Sequence, residues 1–214
     1  MYNVDDIVVV DALNELLVVR VAEAHSGHIC VVEPKKRTYE NSQVVSVVKD
    51  GVLSIPEGTY ETIWASQRGI KRLDCHKVII ENLVDLRHNP IKSMIGFPEY
   101  VGDDLDCEGT ECASLQGCPD IVESCFTISG KHIRTWKYLP IKVGRFAIRF
   151  EEGYYDRTQA YSILIPLCRF DVSIENSSGM TDFEKSNEGI FRTKLSLIQS
   201  GNKQLSGIGY TGDV

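Results

Sequence analysis

IKSMIGFPEYVGDDLDCEGTE (residues 91–111) and CASLQGCPDIVESCFTISGKH (residues 112–132) are two consecutive copies of one 21-residue unit. Ser93 falls on Ser114, Gly96 on Gly117, Pro98 on Pro119, Val101 on Val122 and Gly109 on Gly130. Apolar positions match as well: Ile91 with Cys112, Met94 with Leu115, Leu105 with Phe126, Cys107 with Ile128. A fixed period of this length marks a solenoid, in which each unit buries its apolar edge against its neighbours. The spacing continues upstream, where Ile70, Leu73, Ile80, Val84 and Leu86 precede Ile91, Met94, Val101, Leu105 and Cys107 by one period. Downstream, Ile133, Trp136, Pro140 and Val143 carry it on, and a slip of one residue then brings Phe146 and Ile148 inward. A weaker unit begins the array, with Pro56, Thr59, Ile63 and Ala65 at the offsets of Pro98, Val101, Leu105 and Cys107.

Within each unit one short segment alternates apolar, polar, apolar: Val84-Asp85-Leu86, Leu105-Asp106-Cys107 and Phe126-Thr127-Ile128. Period-two alternation reads as a strand with one buried face. Stacked in parallel at about 4.8 Å, such strands form one ribbon. Gly-x-Pro before the strand supplies a turn, and Gly109 and Gly130 after it permit positive φ. The return leg is too short for a full helix and predicts loops or a helical turn.

The stretch KSMIGFPEYVGDDLDCEGTECASLQGCPDIVESCFTISG (residues 92–130) resembles the leucine-rich-repeat-like units of tailed-bacteriophage proteins, which run L-x-S-L-x-G-x-P-x-x-V-G-G-x-F-x-C-x-x-N. The closing GNKQLSGIGYTGDV (residues 201–214) resembles the end of such arrays. This chain departs from the pattern by carrying Gly109 and Gly130, not asparagine, after the strand. The resemblance implies a phage-encoded protein of the host cytoplasm or of the virion.

Flanking segments differ in character. Within residues 1–50, the runs 7–10, 16–21, 29–32 and 44–48 are β-branched and separated by turn residues, with Ser26-Gly27 as a hairpin turn. This pattern is that of a small SH3-like β-barrel. Lys35-Lys36-Arg37 reads as a solvated turn. After the solenoid of residues 51–150, a β-rich C-terminal segment follows (151–214), with strands expected at 163–167, 169–174 and 190–198 and a flexible Gly/Ser-rich tail. The fold class is therefore mainly β: an SH3-like barrel, a leucine-rich-repeat-like solenoid of stacked parallel strands, and a β-rich extension.

Composition narrows function. No apolar run is long enough to span a bilayer. The start MYNVDDIVVV is acidic where a signal peptide needs basic residues, which predicts a soluble intracellular product. A net charge of −7 disfavours nonspecific nucleic-acid binding and suits a basic protein partner. Oligomeric state is left open.

Seven cysteines invite a metal reading, yet the gaps separating Cys107, Cys112, Cys118 and Cys125 are four, five and six residues, none a zinc-knuckle pair. In the repeat register Cys107 shares a column with Leu86 and Ile128, and Cys112 with Ile70, Ile91 and Ile133. They read as small buried hydrophobes, and no metal or cofactor is expected. His25 and His28 flank the Ser26-Gly27 turn and could pair on a metal; the reading adopted is a polar turn. No phosphate loop, nucleophile elbow or His-Glu-x-x-His occurs. Cys75 and His76 are neighbours that a strand would turn to opposite faces, so a Cys–His pair would need His88 or His132.

Two functions follow. The first is a non-enzymatic protein-binding protein, either a virion component or an inhibitor of a host protein. Its contact surface is the outward row Asp85, Asp106 and Thr127, flanked by Arg87, Glu108 and Ser129. The alternative is a small Cys/His-dependent hydrolase or transferase.

Overall fold

The computed structural model describes residues 2–31, 36–134, 138–150 and 172–176. The chain is mainly β and contains a β-solenoid. The first strands are β1 (Ile7–Ala12), β2 (Glu15–Ala24), β3 (His28–Val31), β4 (Arg37–Glu40) and, after a 3-10 turn at Asn41–Gln43, β5 (Val44–Val47). All their pairings with one another are antiparallel, in the order β4-β3-β2-β1-β5. The β1–β2 hairpin turns through Leu13 (φ 62°) and Asn14 (φ 69°), and the Asp11 carboxylate accepts from the Asn14 amide at 2.8 Å. Positive φ at both central residues is what a two-residue type I′ turn requires.

Then come β6 (Val52–Ser54), β7 (Gly58–Tyr60), β8 (Thr62–Trp64), β9 (Arg72–Asp74), β10 (Val78–Ile80), β11 (Val84–Asp85), β12 (Tyr100–Val101), β13 (Leu105–Cys107), β14 (Ile121–Ser129), β15 (Lys142–Phe150) and β16 (Val172–Asn176). The alternating segments form the predicted parallel ribbon. Ile63 pairs with Val84, Val84 with Leu105, Leu105 with Phe126, Phe126 with Phe146 and Phe146 with Val172. Ile63, Val84, Leu105, Phe126 and Phe146 are all fully buried. The expected strand at 169–174 is represented by β16, which extends the ladder; the other C-terminal expectations lie outside the described residues.

A single ribbon was too simple. A second ribbon runs β7-β10-β12-β14-β15, stacking Ile80, Val101, Val122 and Val143 inward. A short β6–β9 pair forms a further side. Each coil thus turns corners between short strands and encloses its core from several directions. Two-residue strands such as β12 carry too little alternation to be read locally, which is why this ribbon was missed. Upstream, Tyr60 pairs with Ile80, so Thr59 faces outward and not inward as its offset suggested.

The predicted one-residue slip has a visible cause. Val122 pairs with Val143 and Cys125 with Arg145, leaving Glu123 and Ser124 opposite Gly144 alone. A β-bulge absorbs the extra residue. A Cβ on Gly144 would lie 2.5 Å from the carbonyl oxygens of both bulged residues, so only glycine fits there. Gly109 adopts φ 70° as expected, and Gln67 and His88 hold the same left-handed position in the two preceding coils. Gly130 does not: it opens a 3-10 turn at Gly130–His132.

The N-terminal unit is not separate from the solenoid. Strand β2 pairs in parallel with β8, Leu16 opposite Ile63. One face of the β1–β2 hairpin sends Val9, Leu16 and Val18 into the solenoid core. The other sends Val8, Val10, Val19 and Val21 into a second core with Ile29, Val31 and Tyr39. The hairpin therefore caps the stack, covering an end that a repeat array otherwise exposes.

Candidate interaction site

Ladder pairing brings the predicted strip together. Trp64, Asp85, Asp106 and Thr127 occupy one row, each opposite the next. In two successive coils the aspartate turns its side chain back onto the chain: Asp85 accepts from the Arg87 amide (3.1 Å) and Asp106 from the Glu108 amide (3.0 Å). Arg87 grips Asp85 with two hydrogen bonds, Nε to Oδ1 at 2.9 Å and Nη2 to Oδ2 at 2.8 Å, and lies 3.7 Å from Asp106. Arg149 donates to Glu108. The Ser129 hydroxyl accepts from the Gly109 amide at 2.7 Å.

Half of this outward row is not available as contact surface. Asp85, Thr127 and Ser129 are buried, with 3%, 8% and 6% exposure. Arg87 holds Asp85, the Gly109 amide one coil away donates to Ser129, and the Thr127 hydroxyl lies 3.6 Å from the Cys125 sulfur. Arg87 remains exposed, and Asp106 and Glu108 are half-buried. Burial pushes the Asp106 carboxyl up, opposed by the Glu108 amide and the Arg87 guanidinium. The hydrogen bonds from Arg87 to Asp85 raise the guanidinium still further, so it stays charged.

A neighbouring strip was not anticipated. On the second ribbon Thr59, Ile79, Tyr100 and Ile121 form an outward row, in register with the inward Ile80, Val101 and Val122. Ile79 is 42% exposed, and nearby Ile141 is 74% exposed. The corner between the two strips carries the exposed acids Glu81 and Asp103. The signal in sequence was the same 21-residue spacing, one position before each inward residue, at Ile79, Tyr100 and Ile121.

The repeat cysteines sit as ladder residues. Cys75, Cys107 and Cys112 are buried, and the Cys112 thiol donates to the Ile91 carbonyl one coil away. Cys118 is half-buried and donates to the Tyr138 carbonyl. Burial pushes the Cys75 and Cys118 thiols up to about 12 and Cys112 to about 11, and raises Cys107 well above the ordinary thiol range. Such thiols are not nucleophiles near neutrality. His76 is exposed while Cys75 points inward. A cleft of about 470 Å³ beside His132 is lined by Lys92, Glu111, Ala113, Lys131, Ile133 and Arg134. One of about 340 Å³ lies beside His76, and neither cleft has a cysteine in its lining.

These positions predict two measurable behaviours. A thiol reagent at pH 8 should leave Cys75, Cys107 and Cys112 unmodified in the folded protein and label them in denaturant; rapid native labelling would overturn the core assignment. The raised thiols also set an alkaline limit. The folded state holds these protons more tightly than the unfolded chain. Their contribution is fully present below the ordinary thiol value, about 9, and is lost as pH rises toward about 12. Denaturant midpoints should therefore fall over that window, and a flat profile would contradict it.

Among the described residues no helix is long and apolar enough to cross a membrane. No protein-family model, curated protein or solved structure matches the chain.

Proposed function

We propose that this chain is a non-enzymatic, phage-encoded protein-binding protein, acting as a virion component or as an inhibitor of a host protein. The observation that carries the reading is the pairing of two rows on adjacent sides of the solenoid. Ile79, Tyr100 and Ile121 offer apolar surface. Arg87, Asp106 and Glu108 offer charge, and Glu81 and Asp103 add acid at the corner between them. An apolar strip rimmed by acidic groups suits a basic protein surface: apolar contact supplies affinity and charge supplies orientation. Stacked coils hold both rows rigid, so little conformational freedom is lost on binding. The SH3-like reading of residues 1–50 is supported by the strand order β4-β3-β2-β1-β5 and the 3-10 turn before β5. The leucine-rich-repeat-like reading rests on the 21-residue period and the stacked Val84, Leu105 and Phe126. Buried, protonated thiols weigh against the Cys/His enzyme.

The partner should be recovered by pull-down from host lysate and mass spectrometry, and mass spectrometry of purified particles separates the virion role from the inhibitor role. Charge reversal at Asp106 and Glu108 is a poor probe of contact, because it would set like charge beside Arg87, which lies 3.7 Å from Asp106, and against Arg149, which donates to Glu108. Ile79→Ser with Tyr100→Ser is cleaner. It should weaken partner binding at least about tenfold, while Ile79→Ser alone, at the exposed site, keeps stability within about 0.5 kcal/mol. Binding should also weaken with added salt if the partner is basic. Unchanged binding by the double variant would remove the apolar strip from the interface.

A further inference from the structure

The hairpin joining β2 to β3 gathers ligand-type side chains on one face. The His25 amide donates to the His28 carbonyl at 2.9 Å, closing the Ser26-Gly27 turn. Beyond it, Glu23 stands opposite Cys30 and Ala24 opposite Ile29. Strand side chains alternate, so Glu23 and His25 share a face with His28 and Cys30, while Ile29 enters the barrel-side core. The imidazole nitrogens of His25 and His28 and the Cys30 sulfur all lie within 4.8 Å of one another. The two rings stack with centroids 4.5 Å apart. Glu23 reaches the His25 Nε2 at 3.6 Å and is itself 3.8 Å from Lys36. The Cys30 sulfur is buried against the Thr38 hydroxyl at 3.5 Å, whereas His25 is exposed and leaves a route in from solvent.

We propose that His25, His28 and Cys30 bind one divalent first-row transition ion of the zinc class, with Glu23 orienting His25 and a fourth position open to solvent. Two imidazoles and a thiolate are borderline-to-soft donors that suit zinc over calcium or magnesium. Zinc–ligand bonds of about 2.0–2.3 Å need the three donor atoms somewhat closer than they stand, a change within reach of side-chain rotation on a fixed hairpin. Binding deprotonates the Cys30 thiol, the proton passing to solvent, and requires neutral imidazoles, so uptake releases protons and weakens in acid. A carboxylate beside a ligating imidazole is the usual outer partner that fixes its orientation. The sequence expectation of no metal rested on the register of the solenoid cysteines and on reading His25 and His28 as a polar turn; what the structure adds is the approach of the Cys30 sulfur to both imidazoles. The ion would staple the turn of β2 and β3.

The test is titration of the full chain, stripped with chelator, with Zn²⁺ and separately with Co²⁺. One equivalent should bind, with a Co²⁺ spectrum showing tetrahedral visible bands and a sulfur-to-metal charge-transfer band in the near ultraviolet. Cys30→Ser should abolish the charge-transfer band. His25→Gln with His28→Gln should weaken Zn²⁺ binding at least about a hundredfold and remove any Zn²⁺-dependent rise in Tm. His25→Gln alone alters an exposed side chain and should fold normally, so its weakened binding reads the site without a folding defect. Failure of the full chain to take up either ion, or uptake that persists unchanged in these variants, overturns the proposal.

Discussion

Phe126→Ala should lower the unfolding free energy by about 3–5 kcal/mol. Phe126 has no exposed surface and lies where the stack is most committed: its strand pairs with Leu105 on one side and Phe146 on the other. Its ring packs against Phe146 with centroids 4.9 Å apart and planes inclined by 58°. Truncation removes the transfer free energy of the ring and opens a cavity that the ladder cannot close, because hydrogen-bonded strands hold their spacing at about 4.8 Å. The loss should appear as a lower urea midpoint with unchanged slope, since the surface exposed on unfolding hardly changes. A cost under about 1.5 kcal/mol would mean that the column relaxes, and a lowered slope would mean that the coils beyond β14 have uncoupled from the rest. Ile128→Val in the neighbouring column removes one methylene and should cost only about 0.5–1.5 kcal/mol.

The inner columns were legible because identity at a fixed spacing is independent of local propensity. Val84, Leu105 and Phe126 announce themselves by position, and the cysteines fall into place beside them. Less was legible where geometry depends on partners distant in sequence. Nothing near Glu15-Leu16-Leu17 says that it will pair with Thr62-Ile63-Trp64, so the capping role of the hairpin was hidden. Alternation marked Asp85 as outward, and it does leave the core; its burial arises from Arg87 folding back over it, a side-chain event with no period. Alternation places Thr127 and Ser129 outward on the same grounds, and both are buried. The metal-ligand cluster was half visible. His25 and His28 flank a turn, but Cys30 lies inside the run 29–32 with nothing to single it out, although period two sets it on the face of His28.

Asn89 follows the inward Leu86 by three residues, the place that Thr110 holds after Cys107 one period later. Asn89 is 1% exposed and uses its whole side-chain amide. Its Oδ1 accepts from the amides of Arg68 (3.0 Å) and Ile70 (2.9 Å), and its Nδ2 donates to the carbonyls of Ala65 (2.7 Å) and Leu86 (2.9 Å). The clamp joins the coil that ends at Leu86 to the one before it. Asn89→Ala strands these backbone groups away from water, and at about 1–3 kcal/mol for a buried group left unpaired the expected loss is about 3–5 kcal/mol, allowing for partial relaxation. Asn89→Asp keeps the two acceptor bonds but turns an oxygen toward the Ala65 and Leu86 carbonyls. It should be strongly destabilising at neutral pH and recover in mild acid, where a protonated carboxyl can donate again. Asn89→Thr should fall between native and alanine. Thr110, one coil later, shows what threonine can do in this place: its hydroxyl donates to the Cys107 carbonyl, at 2.8 Å, within its own coil. Urea melts of the three variants at pH 5 and pH 7 rank them. If alanine costs less than about 1 kcal/mol, solvent reaches the stranded groups and Asn89 is not a clamp. If aspartate shows no recovery in acid, its carboxyl is not held against the two carbonyls.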